Sequence, residues 1–258
     1  FSRVMENMQQ TENKFQYPTE EVTLPSTGIL YDPKSPLSKG TIEMKYMTAL
    51  EEDILTNQNY IKDGSVIDRL IKSLIVTPIN YDDLLIGDKN AILIAARILG
   101  YGSDYTFKYE GENHSVDLTT IEDKPLHEEV QNAESNIFSY TLPTSKIEIT
   151  FSFMTHGRDI AVTKEIKGLK KINKKSNPEL STRMKYIINS VNGDSEKKTI
   201  REFVDKGLLA RDARALRMYI NEIQPDTDLT FEREASNGDF ETLTIPITAN
   251  FFWPDAEL

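Results

Sequence analysis

Asp88-Lys89-Asn90-Ala91-Ile92-Leu93-Ile94-Ala95-Ala96-Arg97-Ile98-Leu99 is the stretch on which the fold turns. A helix through it is apolar on nearly all sides, so it belongs at the buried centre of the molecule. Arg97 is out of keeping with that place. A buried arginine is ordinarily paired with a carboxylate, or carries its charged head to the surface on an aliphatic stem, and one of these is expected here. Gly100-Tyr101-Gly102 follows and reads as the helix stop. It comes after a helix rather than a strand and lacks a third glycine, so a phosphate loop is the poorer reading.

Outward from this helix the pattern alternates between periods. Ile42-Glu43-Met44-Lys45-Tyr46 alternates apolar and charged residues as a half-exposed strand does. Thr48-Ala49-Leu50-Glu51 is a capping box that opens a short helix to about Asn57. Val66, Ile67, Leu70, Ile71, Leu74 and Ile75 form a second helical stripe that ends before Pro78. Asp104-Tyr105-Thr106-Phe107 opens a hairpin closing at Val116-Asp117-Leu118, and Asp228-Leu229-Thr230-Phe231 opens another closing at Leu243–Ile247. Each follows a helix and carries a glycine-containing tip, Gly111 or Gly238, so the two are expected to lie side by side. A third, smaller hairpin is expected from residues 137–142 and 147–153, turning at Pro143-Thr144-Ser145. Val162, Ile166, Leu169 and Ile172 line one helical face. Met184, Ile187, Ile188 and Val191 continue as a helix ended by Gly193. Leu209, Ala213, Leu216, Ile220 and Ile223 line a regular helix stopped by Pro225. The fold class is therefore α+β: a helical core, two paired β-hairpins and a further small hairpin. Residues 1–23 read as a polar N-terminal arm, 24–258 as the main domain with a possible sub-domain at about 136–206, and 122–136 as an acidic linker.

At 258 residues the chain is long enough to bury about three quarters of its unfolded surface. It has no cysteine, which excludes disulfides, thiolate metal sites and cysteine nucleophiles. A net charge of −11 argues against general nucleic-acid binding, which requires local positive charge. No apolar run approaches the ~18 residues of a membrane helix, so no membrane insertion is expected. Charge is nonetheless uneven. Residues 158–185 hold nine basic and three acidic side chains, and 112–134 hold one basic and seven acidic. Opposite patches of this kind steer protein partners.

Four ordered phrases carry a further reading: Leu24-Pro25-Ser26-Thr27-Gly28-Ile29-Leu30-Tyr31, the run from Lys39-Gly40-Thr41 to Asn57, the run from Leu84-Leu85-Ile86-Gly87-Asp88 to Gly102, and Asn250-Phe251-Phe252-Trp253-Pro254-Asp255. Together they resemble the baseplate hub proteins of T4-like contractile-tailed bacteriophages. The resemblance runs from about Leu24 to the C-terminus. It implies a structural subunit of the baseplate hub, assembled in the host cytoplasm and located in the virion, that catalyses nothing. Its partners would be other baseplate and tail-tube proteins, in a homo-oligomer or multiple copies. A non-virion assembly factor for the hub is the alternative. In that family the two hairpins commonly hold a C-x-x-C pair each, making a closed zinc site. The corresponding positions here are Tyr109 and Glu112 in one hairpin and Arg233 and Ser236 in the other. None is cysteine and an arginine cannot ligate a cation, so a degenerate, metal-free knuckle is expected, with His114 as one isolated ligand nearby.

No chemistry-bearing motif stands out. His114, His127 and His156 are scattered, and no H-E-x-x-H or G-x-S-x-G occurs. Glu51-Glu52-Asp53 and Asp82-Asp83 are simpler as helix-start acids than as acid–base pairs. The lysine face of residues 164–175 and the row Arg211, Arg214, Arg217 read as solvated faces or complements to an acidic neighbour. No catalytic residue, metal ligand or cofactor is assigned. The candidate protein contacts are Phe1, Met5, Met8, Phe15 and Tyr17 of the arm, and Phe252. For a strand at 250–255, Phe252 would point away from Phe251 and Trp253, either into the chain's own core or into a neighbouring subunit.

Overall fold

The computed structural model describes residues 17–175, 177–234, 240–247 and 251–253. Strand β1 (Thr19–Thr23) pairs antiparallel with β2 (Thr41–Lys45), Val22 opposite Ile42. This corrects the reading of the segment up to residue 23 as an arm. Ladder bonds satisfy the backbone whatever the side chains are, so a polar strand on an edge is stable without announcing itself by alternation. In β2 the expected alternation holds, with Ile42 and Met44 buried. Between the two strands the chain doubles back on itself at Gly28 (φ 82°) and Gly40 (φ 74°). A Cβ on Gly28 would lie 2.6 Å from Gly40 N, and one on Gly40 would lie 2.5 Å from Thr27 O, so only hydrogen fits at either.

Helices α1 (Ala49–Leu55), α2 (Gln58–Asp63) and α3 (Val66–Leu74) follow. The capping box forms at α1, where Thr48 N and Oγ1 both donate to Glu51 Oε2, at 2.9 and 2.6 Å. Helix α4 (Ile86–Tyr101) is the central one and buries Ile92, Leu93, Ile94 and Ala96. Arg97 is 2% exposed, but neither expected solution applies. Its Nη1 and Nη2 donate to the carbonyls of Gly102 (2.8 Å) and Asp104 (3.0 Å), just past the end of its own helix. The Tyr101 and Tyr105 rings lie 5.5 and 6.0 Å from the guanidinium. Backbone carbonyls thus take the place of a carboxylate at the negative end of the helix.

Strands β3 (Asp104–Tyr109) and β4 (Glu112–Asp117) form the first hairpin. Its two-residue tip, Glu110-Gly111, has positive φ at both positions (50° and 86°), as a type I′ turn demands. Residues 122–136 are no free linker: α5 (Glu128–Gln131) buries Val130, and Asp123 bridges to Thr227.

Strands β5 (Phe138–Thr141) and β6 (Glu148–Phe151) form the predicted small hairpin, after which come α6 (His156–Ile172) and α7 (Glu179–Ile187). The helix expected to run on to Gly193 stops at Ile187. Ile188–Val191 is instead β7, which pairs with β6 to make a three-stranded sheet. The Thr150 and Ser190 hydroxyls meet across that pair at 2.6 Å. Helices α8 (Lys197–Lys206) and α9 (Ala210–Ile223) precede the second major hairpin, β8 (Thr230–Glu234) and β9 (Phe240–Thr244). Buried side chains of the proposed sub-domain, such as Phe138, Phe151 and Ile200, belong to the same core cluster as Leu93 of α4.

The architecture is α+β, with small antiparallel sheets set around helices. Among the described residues no helix is long and apolar enough to cross a membrane.

Candidate functional site

Two constructions gather the residues singled out in the sequence. The first joins Leu24–Tyr31 to the start of α4. Asp88, at the third position of α4 and fully buried, accepts from Ser26 N (2.8 Å), Ser26 Oγ (2.6 Å) and the Tyr31 hydroxyl (2.6 Å). The Tyr31 oxygen in turn accepts from Leu85 N at 2.9 Å. Burial pushes the Asp88 carboxyl above its usual range, and the three neutral donors do not offset it. Burial and the facing Asp88 likewise raise the Tyr31 phenol, so it stays a donor. Gly87, one residue earlier, is fixed by close packing: a Cβ there would run into the carbonyl of Pro225 at the end of α9. The glycine and the acid of Ile86-Gly87-Asp88 therefore each hold a different segment against the central helix.

The second construction is the pair of hairpins, which do lie side by side. Phe107 of β3 meets Phe231 of β8 edge-on at 5.4 Å between ring centroids, and Tyr105 meets Phe251 the same way at 4.9 Å. Tyr105 also donates to Pro246 O at 3.0 Å. At the tips Arg233 reaches across. It bonds Glu110 (3.0 Å), lies 3.7 Å from Glu112 and is held within its own hairpin by Glu241 (3.0 Å). His114 Nε2 is 3.3 Å from Arg233 Nη1, and the Tyr109 ring lies 5.1 Å from the guanidinium. Three of the four positions at which the resemblance marks metal ligands, Tyr109, Glu112 and Arg233, thus converge on one charge, and Ser236 lies outside the described residues. The guanidinium ties the hairpin tips by ion pairs and ring contact, where a metal would tie them by coordination. Among the described residues no group of three or more His, Cys, Asp or Glu side chains could hold a metal ion.

A polar cluster that the sequence did not suggest joins three helices. Asp68 of α3 accepts from Lys89 Nζ of α4 (2.7 Å) and from the Tyr81 hydroxyl (3.0 Å). Buried His156, first residue of α6, stands 3.2 Å from Lys89 and edge-on to Tyr81 at 4.5 Å. Burial, with Lys89 beside it, lowers the pKa of His156, so its ring is neutral and Nδ1 can accept from the ammonium. Lysine, carboxylate and phenol are committed to one another, which fits a structural tie better than a proton relay.

Of the candidate protein contacts, Phe1, Met5, Met8 and Phe15 lie outside the described residues. Tyr17 is 57% exposed, with Lys45 Nζ 5.6 Å from its ring. Phe252 corrects the interface reading. It is 0% exposed, packed edge-on against Phe251 at 5.2 Å, and has no surface to offer a neighbour. Residues 251 and 252 sit in a tight turn rather than a strand, which lets both rings enter the core while Trp253 stays only partly covered. Sequence reasoning missed a cleft of about 490 Å³ between α7 and α9, lined by Met154, Met184, Ile187 and Ile220 with Arg183 and Arg217. Exposed Leu180 stands at this cleft, and Met218 is exposed on α9.

No protein-family model, curated protein or solved structure matches the chain.

Proposed function

We propose that the chain is a structural subunit of the bacteriophage contractile-tail baseplate, in its hub region, and acts by protein–protein assembly without catalysis. One observation carries this reading: the phrases behind the resemblance, far apart in sequence, meet in space. Tyr31 bonds Asp88, Gly28 backs on Gly40, and Phe251 packs on the hairpin that begins just beyond Gly102. The phrases therefore describe one packed unit, as a family pattern should. Under this reading the partners are other baseplate and tail-tube proteins, and the location is the tail of the virion. The test is a cryo-EM map of a contractile tail tip from particles whose genome encodes this chain. The reading requires density for the hairpin pair and α4 in the baseplate hub. A tail tip complete without this chain would overturn it and leave the assembly-factor alternative.

A further inference from the structure

Between the start of α6, the junction of α7 with β7, and the start of α8 lies a pocket of about 410 Å³. Four cations line it: Arg158, Lys185, Lys197 and Arg201, with the Ser195 hydroxyl at the rim. No acidic side chain among the described residues lines it. Such a concentration is unexpected in a chain of net charge −11. Two of the four are neutralised from outside the pocket, Lys185 by Asp205 (2.7 Å) and Arg201 by a two-pronged bond to Glu165 (2.7 Å each). Arg158 is not. Its Nη1 is shut away from solvent without a hydrogen-bond partner among the described residues, and no carboxylate offsets the effect of burial on its guanidinium. Arg158 is half-buried rather than sealed in, and an arginine does not escape by losing its proton, so the one sheltered, unpartnered nitrogen is a cost to the fold. A buried polar atom without a partner calls for an explanation, and in a pocket lined by cations a bound anion supplies one. The floor is apolar, formed by Ile188 and Ile200, and the volume lies within the range of small-ligand pockets.

We infer that this pocket binds a small phosphate-bearing anion, with Arg158 and Lys197 supplying the charge that no carboxylate among the described residues cancels. Arginine presents paired donors that match phosphate oxygens, and Ser195 adds a neutral one. The inference does not depend on the baseplate reading. The neighbouring lysine face of α6, where Lys164, Lys167 and Lys171 flank a second hollow, supplies the control.

The experiment is calorimetric titration of the full chain with inorganic pyrophosphate, and separately with citrate, at about 0.15 M salt. Saturable one-to-one binding of pyrophosphate with Kd below ~1 mM is expected. Arg158→Gln should weaken it ~10-fold or more, and Lys164→Gln should leave it within about twofold. Unliganded Arg158→Gln should also melt no lower than the wild type, since it removes an uncompensated charge. If that variant does not fold, Lys197→Gln, exposed in the free chain, serves the same purpose. No saturable binding, equal losses in the Arg158 and Lys164 variants, or citrate binding as tightly as pyrophosphate would each overturn the proposal.

Discussion

Glu51 of α1 and Asp88 of α4 occupy the same helical position, the third, and both are fully buried. Their carboxyls nevertheless move in opposite directions. Burial raises both. At Glu51 it is overcome by Lys45 Nζ (2.7 Å), Thr48 and the Ser73 hydroxyl (2.7 Å), and the pKa falls to about 2. At Asp88 the donors are Ser26 and Tyr31, all neutral, and the pKa rises. A cation at hydrogen-bond distance on one side, and deeper burial with Asp123 repelling on the other, separate the two. Glu51 is an ion-paired clamp between β2 and α1, whereas Asp88 is a hydrogen-bond hub that gains nothing from its charge.

The comparison implies opposite responses to acid. A depressed folded pKa gives stability that is full above the unfolded value near 4.5 and is lost as pH falls toward 2. A raised one gives stability that is full below the unfolded value near 3.8 and is lost as pH climbs through the folded value. A third buried residue without charge sets the baseline. Phe252→Ala should cost about 3–5 kcal/mol at every pH, read by denaturant unfolding. A loss confined to assembly, with the melting temperature of the isolated chain unchanged, would contradict its burial. Glu51→Gln should cost about 3 kcal/mol at pH 7, and its deficit against the wild type should shrink as pH falls from 5 toward 2. Asp88→Asn keeps the shape but misplaces one donor, and should cost about 1–2 kcal/mol at pH 7. Its deficit should widen on acidification. Parallel pH trends for the two variants would mean that burial alone, rather than the Lys45 contact, governs both carboxyls.

Much of this was legible in advance because it depends on neighbours in sequence. The all-apolar face of α4, the capping box at Thr48 and the Glu110-Gly111 tip are local patterns with local causes. So is the stripe of α9. The misses have a different origin. Residues 184–191 fit helix and strand alike, since a short apolar run does not fix its period, and only pairing with β6 decides it. Strand β1 is polar and is stabilised by a partner about twenty residues away. Phe252 turns inward because of a backbone turn that its three aromatic residues do not reveal. Arg97, Arg158 and Arg233 look alike in the sequence. One satisfies helix-end carbonyls, one has no partner among the described residues at a pocket wall and one ties two hairpins together, and only distant residues distinguish them.

The hairpin pair also sets a timetable for synthesis. Glu110 and Arg233 stand 123 residues apart in the chain, and Phe251 is farther still from the Tyr105 ring it covers. At ordinary elongation rates of about 5–20 residues per second, the first hairpin leaves the ribosome roughly 6–30 s before the segments that shelter Tyr105 and Phe107. For that interval its aromatic face must stay solvated or find a temporary cover. Nascent chains halted before residue 230 should therefore be the aggregation-prone species of this protein, and release of the last segment the step that ends the exposure.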